Sequence, residues 1–247
     1  MNIFGETHKG KIRKKNQDYY TNRVLSSDLG YSIVCDGMGG TEGGEIASKM
    51  AAEYIDLCLF ENLSSDLNDN QLIDLLTTSV KNANLKIYDY SVKNENLRGM
   101  GTTIVAIIVK DNKIFGLSDG DSRLYKINTH THELKQITND HTFVQILVEN
   151  GQITKEQALT HPKKHIITRA LGVEDFIETD NFETTINKDE IVLICSDGLY
   201  NYMDEPSLIK KAIDSAQIGT VKPLIDLANE NGGGDNITAV ILTGGDR

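Results

Sequence analysis

The chain of 247 residues is 39% hydrophobic, enough for one sizeable buried core, and no Ser/Gly/Pro-rich tract divides it, so a single domain over residues 1–247 is expected. A formal charge of −11 opposes nucleic-acid binding, which needs a basic face. No apolar run approaches a membrane span and the first residues lack signal-peptide character, so a cytoplasmic protein away from membranes is expected; three unclustered cysteines (Cys35, Cys58, Cys195) argue against a disulfide framework.

In chain order, the Ile- and Val-rich run 31–35 reads as a strand. Helical periodicity follows in 42–60, with Ile46, Met50, Tyr54 and Leu57 on one face, and in 70–92, with Leu72, Leu75, Leu76, Val80, Ala83 and Ile87. Runs 103–109, 113–118 and 123–127 read as strands, and Asp111-Asn112 between the first two is a hairpin signal that makes part of the sheet antiparallel. Residues 139–168 are polar, broken by Gly151 and Pro162 and basic at their end, which suits a surface connection or a mobile lid. A strand at 191–196, helices at about 205–216 and 219–230, and a strand at 237–242 complete the chain; Asp204 is the expected cap of the first of these helices, with Pro206 in its first turn. This order suggests two sheets with helices covering their outer faces.

Five aspartates stand where strand-like runs stop, each followed by Gly, Ser or Asn: Asp36, Asp119, Asp121, Asp197 and Asp235. A carboxylate at a strand mouth is held rigidly, and a neighbouring glycine lets the backbone approach an ion and offer its carbonyl. Oxygen donors without Cys or His suit Mg or Mn better than Zn, and paired ions of this kind activate water and clamp an in-line displacement at phosphorus. A hydrolase of phosphate esters is therefore expected. Near the N-terminus, Arg13 precedes Asp18 in Arg13-Lys14-Lys15-Asn16-Gln17-Asp18 and offers the planar two-pronged donor that a phosphoryl group needs.

Other patterns carry less. Gly39-Gly40-Thr41-Glu42-Gly43-Gly44 lacks the Lys-Ser or Lys-Thr of a phosphate-cradling loop and reads as a tight turn near the carboxylates. His130 and His132 read as exposed, and Pro162 weakens a helical metal site between His161 and His165. Cys35 and Cys195 sit in apolar runs and read as small buried hydrophobes rather than redox sensors.

The full set of motifs occurs in order: Arg13 to Asp18, Asp36-Gly37-Met38-Gly39-Gly40, Gly101-Thr102-Thr103, Gly120-Asp121-Ser122-Arg123, Asp140-His141, Thr168-Arg169-Ala170-Leu171-Gly172, Ser196-Asp197-Gly198-Leu199 and Gly234-Asp235-Asn236-Ile237-Thr238. Together they resemble the protein phosphatase 2C type of metal-dependent Ser/Thr phosphatases, especially the bacterial members, over essentially the whole chain. The resemblance implies an α/β four-layer α-β-β-α sandwich of two mostly antiparallel sheets flanked by helix pairs, with Mn2+ or Mg2+ at one end between the sheets. It implies hydrolysis of phosphoserine or phosphothreonine in proteins by a hydroxide bridging two central ions. Asp36 is implied as the bridging carboxylate with the Gly37 carbonyl beside it, Asp197 and Asp235 as further ligands, and Asp18 as support for the second ion through water. Arg13 would grip the phosphate, and Asp121 with Asp197 would hold a weaker third ion.

The resemblance further implies a monomer acting on phosphoproteins in signal transduction, opposed to a bacterial Ser/Thr kinase, and a flap over residues 139–168. Asp119 lies outside the family pattern and reads as a surface or supporting group. Met38 stands where many eukaryotic relatives carry a His that can protonate the leaving group, and thioether sulfur cannot donate a proton. Asn201 stands where some relatives place a carboxylate, which predicts a weaker third site. A pseudophosphatase that only binds phosphoproteins is the rival reading; such proteins typically lack metal carboxylates, and every expected central one is present here.

Overall fold

The computed structural model describes residues 1–40 and 42–244. Two sheets face one another. In the first, β1 (Asn2–His8), β11 (Ile237–Thr243), β10 (Glu190–Cys195), β7 (Arg123–Asn128) and β8 (Leu134–Gln136) lie side by side in that order. In the second the order is β2 (Asp18–Val24), β3 (Leu29–Met38), β5 (Ile104–Lys110), β6 (Lys113–Asp119) and β9 (Asp180–Thr185), with the short β4 (Gly101–Thr102) paired to the end of β3. The pairings are antiparallel, including the hairpin β5–β6, whose turn residue Asp111 takes a left-handed φ of 59°.

Period-two alternation explains the layering. Along β3, Tyr31, Ile33 and Cys35 face α1 (Gly43–Asn62) and α2 (Asp69–Lys93), while Val34 faces the other sheet. Along β10, Val192 and Ile194 point between the sheets, whereas Ile191, Leu193 and Cys195 face α6 (Glu205–Ile218) and α7 (Lys222–Glu230). Three apolar layers result, and the four-layer sandwich expected from the resemblance is the observed architecture. Central strands are covered on both faces and therefore read as unbroken hydrophobic runs.

Asp204 caps α6 by accepting from Ser207 N at 2.8 Å, with Pro206 in the first turn. Gly219 ends that helix in the left-handed conformation, which delays α7 to Lys222, three residues past the expected 219. Residues 139–168 carry two short helices, α3 (Phe143–Glu149) and α4 (Lys155–Thr160). Their base is zipped: Phe143 N donates to Ile166 O and Thr168 N to His141 O, both at 2.8 Å, and His141 N donates to Gly120 O at 2.8 Å.

Candidate active site

Antiparallel register brings the aspartates together. Asp18 on β2 lies opposite Asp36 on β3, at one end of the second sheet. In the first sheet, Asp197 follows β10 and opens the short helix α5 (Asp197–Tyr200), and Asp235 immediately precedes Asn236 and β11. Asp121 sits in the crossing from β6 to β7, which belong to different sheets. Backbone contacts fix Asp36: its N–H donates to Thr103 Oγ1 at 3.1 Å, and its carbonyl accepts from Thr103 N at 2.8 Å and Thr102 Oγ1 at 2.9 Å. A Cβ on Gly37 would collide with the carbonyl of Gly44, so Gly44 packs directly on the strand end, as the glycines here suggested.

Asn236 fastens the N-terminal loop that carries Arg13. Its Nδ2 donates to Lys9 O and Lys15 O at 2.9 Å, and its Oδ1 accepts from Gln17 N at 2.8 Å. Arg13 thereby reaches the carboxylates, with Nη2 2.7 Å from Asp235 Oδ2. Asp18 is buried; Ser196 Oγ and Thr238 Oγ1 both donate to its Oδ2 at 2.7 Å, leaving Oδ1 buried without a partner. Tyr200 Oη donates to the Asp121 carbonyl at 3.0 Å, and Arg123 stacks on the Tyr200 ring at 3.6 Å while gripping Asp140.

The electrostatics are those of crowded anions. Burial, then the fields of Asp18, Asp197, Asp121 and Asp235, pushes Asp36 well above the ordinary carboxylate range. Asp197 is raised likewise by burial and then by Asp121, Asp235 and Asp18. Burial lifts Asp18 to about 6 against the two hydroxyls, and lifts Asp121 to about 6 with help from Asp140. Asp36, Asp197 and Asp235 are mostly buried but each keeps some surface in solvent, so the basin has an open mouth. An acidic oxygen basin with a buried orphan oxygen suits hard divalent cations. Among the described residues no three acidic, imidazole or thiol groups close on one point. The side-chain partners account for this: Oδ2 of Asp235 is turned to Arg13, Oδ2 of Asp197 to Asn201 Nδ2 at 3.1 Å, and Oδ2 of Asp18 to the hydroxyls.

The family model described as "Protein phosphatase 2C" matches residues 5–225. The chain belongs to the protein phosphatase 2C family. Among curated relatives, this phosphatase is 35% identical over 238 residues to the serine/threonine phosphatase stp of Listeria monocytogenes, covering 96% of this chain and 93% of that one. Among solved structures, it matches serine/threonine phosphatase Stp1 of Staphylococcus aureus with a TM-score of 0.88 and 32% identity over 97% of this chain and 93% of that one. It matches the catalytic domain of protein phosphatase PstP, in complex with two manganese ions, with a TM-score of 0.78 and 31% identity over 97% and 96% of the two chains.

The other residues singled out in the sequence take the following places in the phosphatase. Asp119 is not a surface group: it is 1% exposed at the end of β6, against His141. Asn201, in place of a carboxylate, donates its amide to Asp197. Ser196, Thr238, Thr103 and Asn236 lie inside motifs noted in the sequence, yet their holding contacts appear only when distant segments meet. His130 is exposed beside Asp189, and α4 ends before His161 and His165. Both Cys35 and Cys195 are fully buried, and burial pushes the Cys195 thiol up to about 12, so neither is a ready thiolate. Among the described residues no helix is long and apolar enough to cross a membrane.

Proposed function

We propose that this phosphatase hydrolyses phosphoserine and phosphothreonine in proteins as a single catalytic domain, reversing a Ser/Thr kinase that supplies the phosphoprotein. The observation that carries the reading is the basin itself: Asp18, Asp36, Asp121 and Asp197 all hold their protons more tightly than usual, the charge of Asp235 adds to the effect at each, and Arg13 reaches in among them through Asp235. Relatives named serine/threonine phosphatases and a neighbour holding two manganese ions support it.

Asp36, the Gly37 carbonyl, Asp197 and Asp235 would hold two central Mn2+ or Mg2+ ions, Asp18 would support the second through water, and Asp121 with Asp197 would hold a weaker third. Bound there, the ions supply an activated water and neutralise charge on the phosphoryl oxygens. Arg13 binds and orients the phosphate on the same side as Asp235. Met38 has no proton to give, so the proton for the departing alkoxide comes from water or from another group of the site. The uncatalysed reaction is slow enough to require on the order of 20 kcal/mol of barrier lowering, and electrostatic stabilisation with a metal-activated nucleophile is large enough to supply most of it.

The purified protein should hydrolyse an aryl phosphate and a phosphoserine peptide with Mn2+ and stop with chelator. Asp36→Asn should cut kcat by orders of magnitude while circular dichroism and thermal unfolding still report a folded protein. Undiminished turnover in chelator, or in folded Asp36→Asn, overturns this reading.

A further inference from the structure

A recess of about 260 Å³ has Met38 in its wall, two residues beyond Asp36 on β3. Two residues of extended strand span roughly 7 Å, so the recess adjoins the catalytic basin. One face is apolar and unusually open: Phe176 is 64% and Val173 42% exposed. The lining also carries three acids, Asp119, Glu174 and Glu178. Neither Glu174 nor Glu178 is paired with a cation among the described residues. Arg169 also lines the recess, but its Nη1 is held 3.0 Å from Oδ1 of Asp180, which does not line it.

Asp119 is the second, independent pointer. It is 1% exposed, yet neither carboxylate oxygen accepts a hydrogen bond. His141 Nδ1 lies 3.3 Å from Oδ1, but in the neutral tautomer that nitrogen accepts the Gly120 N–H at 3.0 Å and has no proton to offer, so Asp119 gains this partner only when His141 is protonated. A buried acceptor without a donor is costly unless something positive comes to it. Open aromatic and aliphatic surface in one recess with carboxylates suits the stem and head of a long cationic side chain, the stem lying on Phe176 and the charge turned to the acids.

We propose that this recess is a specificity subsite that takes a Lys or Arg side chain of the phosphoprotein close in sequence to the phosphorylated residue. An extended substrate advances roughly 3.3–3.6 Å per residue, so the side chain concerned lies within about three positions of the phosphoresidue. The subsite rests on the reading of the basin as the phosphate site. It concerns which phosphoproteins are chosen and not the hydrolysis itself.

The test compares kcat/KM for a set of phosphoserine peptides of one length carrying Lys, Ala or Glu at each of the three positions on either side of the phosphoserine. Wild type should favour Lys over Ala at one or two positions by roughly threefold to tenfold, the range expected from two or more partly exposed ion pairs acting together. In Glu174→Gln/Glu178→Gln the Lys-to-Ala ratio should fall toward one at those positions, and in Phe176→Ala it should fall partway. A ratio within one enzyme does not depend on how much of the variant is folded. No Lys preference at any position overturns the subsite. So does a preference that is equal at all positions or survives the double variant, because it would then come from the net negative charge of the molecule. Wild-type turnover of an aryl phosphate is the separate control: with turnover present, loss of the Lys preference overturns the subsite alone, whereas absence of turnover overturns the phosphatase reading and the subsite that rests on it.

Discussion

Arg13 meets the acidic basin through Asp235, with Nη2 2.7 Å from Oδ2 and Nε 3.4 Å from the Gly234 carbonyl. Its guanidinium is half-exposed, so one edge neutralises a carboxylate while the rest stays free for an incoming phosphate. The two duties compete for the same planar fork. Arg13→Ala is therefore expected to raise KM for a phosphopeptide, since a hydrogen bond to a charged group is worth roughly 1.5–3 kcal/mol. It should also leave Asp235 open to a cation, so that Mn2+ binding measured by calorimetry tightens. Unaltered kcat and KM would return Arg13 to the solvated surface, and weakened Mn2+ binding would mean that it holds Asp235 in place rather than competing for it. Asp18 shows the opposite arrangement: Ser196 and Thr238 occupy one oxygen and leave the other turned into a buried space with no partner.

Whether an element was legible in the sequence followed from its place in the layers. The strands read from apolar runs are β3, β5, β6, β7, β10 and β11, all interior to their sheets, where burial on both faces erases polar alternation. Those not read are β1, β2, β8 and β9, the edges of the two sheets, together with the two-residue β4. Asp-Asn-Phe-Glu-Thr-Thr in β9 alternates between half-buried and exposed positions and carries polar groups suited to an edge. The site divided in the same way. Carboxylates beside glycine at strand ends were visible locally, whereas the clamp on Asp18 joins residues 178 and 220 positions apart and has no local signal. Whether Asp119 is a surface or a supporting group had no local signal, because the end of a strand resembles a turn and His141, which lies against it, comes from the far side of a connection.

The 139–168 segment makes a prediction at this scale. Its base is zipped at His141 and Thr168 below α3 and α4, and Lys164 and His165 line a cavity together with Asp121 and Asn201. Lys163 instead lies 5.1 Å from the Phe143 ring, packed on the flap itself. If the segment selects substrates, its contacts fall on the protein part of a phosphoprotein and hardly on a small aryl phosphate. Replacing Lys163, Lys164 and His165 by Ala should reorder kcat/KM among phosphopeptides of different flanking charge more than it changes aryl phosphate hydrolysis. Parallel losses on both substrate types would mean that the segment supports the carboxylate basin, and no change on either would make it an ordinary surface connection.

For the whole molecule, the basin is a local excess of negative charge inside a chain already at −11, and proton and metal ion compete to relieve it. Asp18 and Asp121 rise from an ordinary value of 3.8 to about 6 on folding, chiefly through burial. A carboxyl whose proton is held more tightly in the folded state contributes stability that is complete below the unfolded value and is lost as pH rises through the folded one. Burial pulls His141 down, but Asp119 and Asp180 raise it past its usual value, so it acts with the same sign. Asp56, lowered mainly by Arg23, works in the opposite sense only below the ordinary carboxylate value, outside this window. In chelator, therefore, the melting temperature should climb as pH is lowered from about 7.5 to about 5. Saturating Mn2+ at neutral pH should raise it without acid, by about 2.7 kcal/mol of stability when the ion stands at a hundred times its dissociation constant. With Mn2+ present the pH dependence should flatten, since the cation has already taken the place of the proton. A melting temperature in chelator that is level or falls across that range, together with no gain from Mn2+, would show that the aspartates do not repel one another in the folded protein and would remove the physical reason for ions at this end of the sandwich.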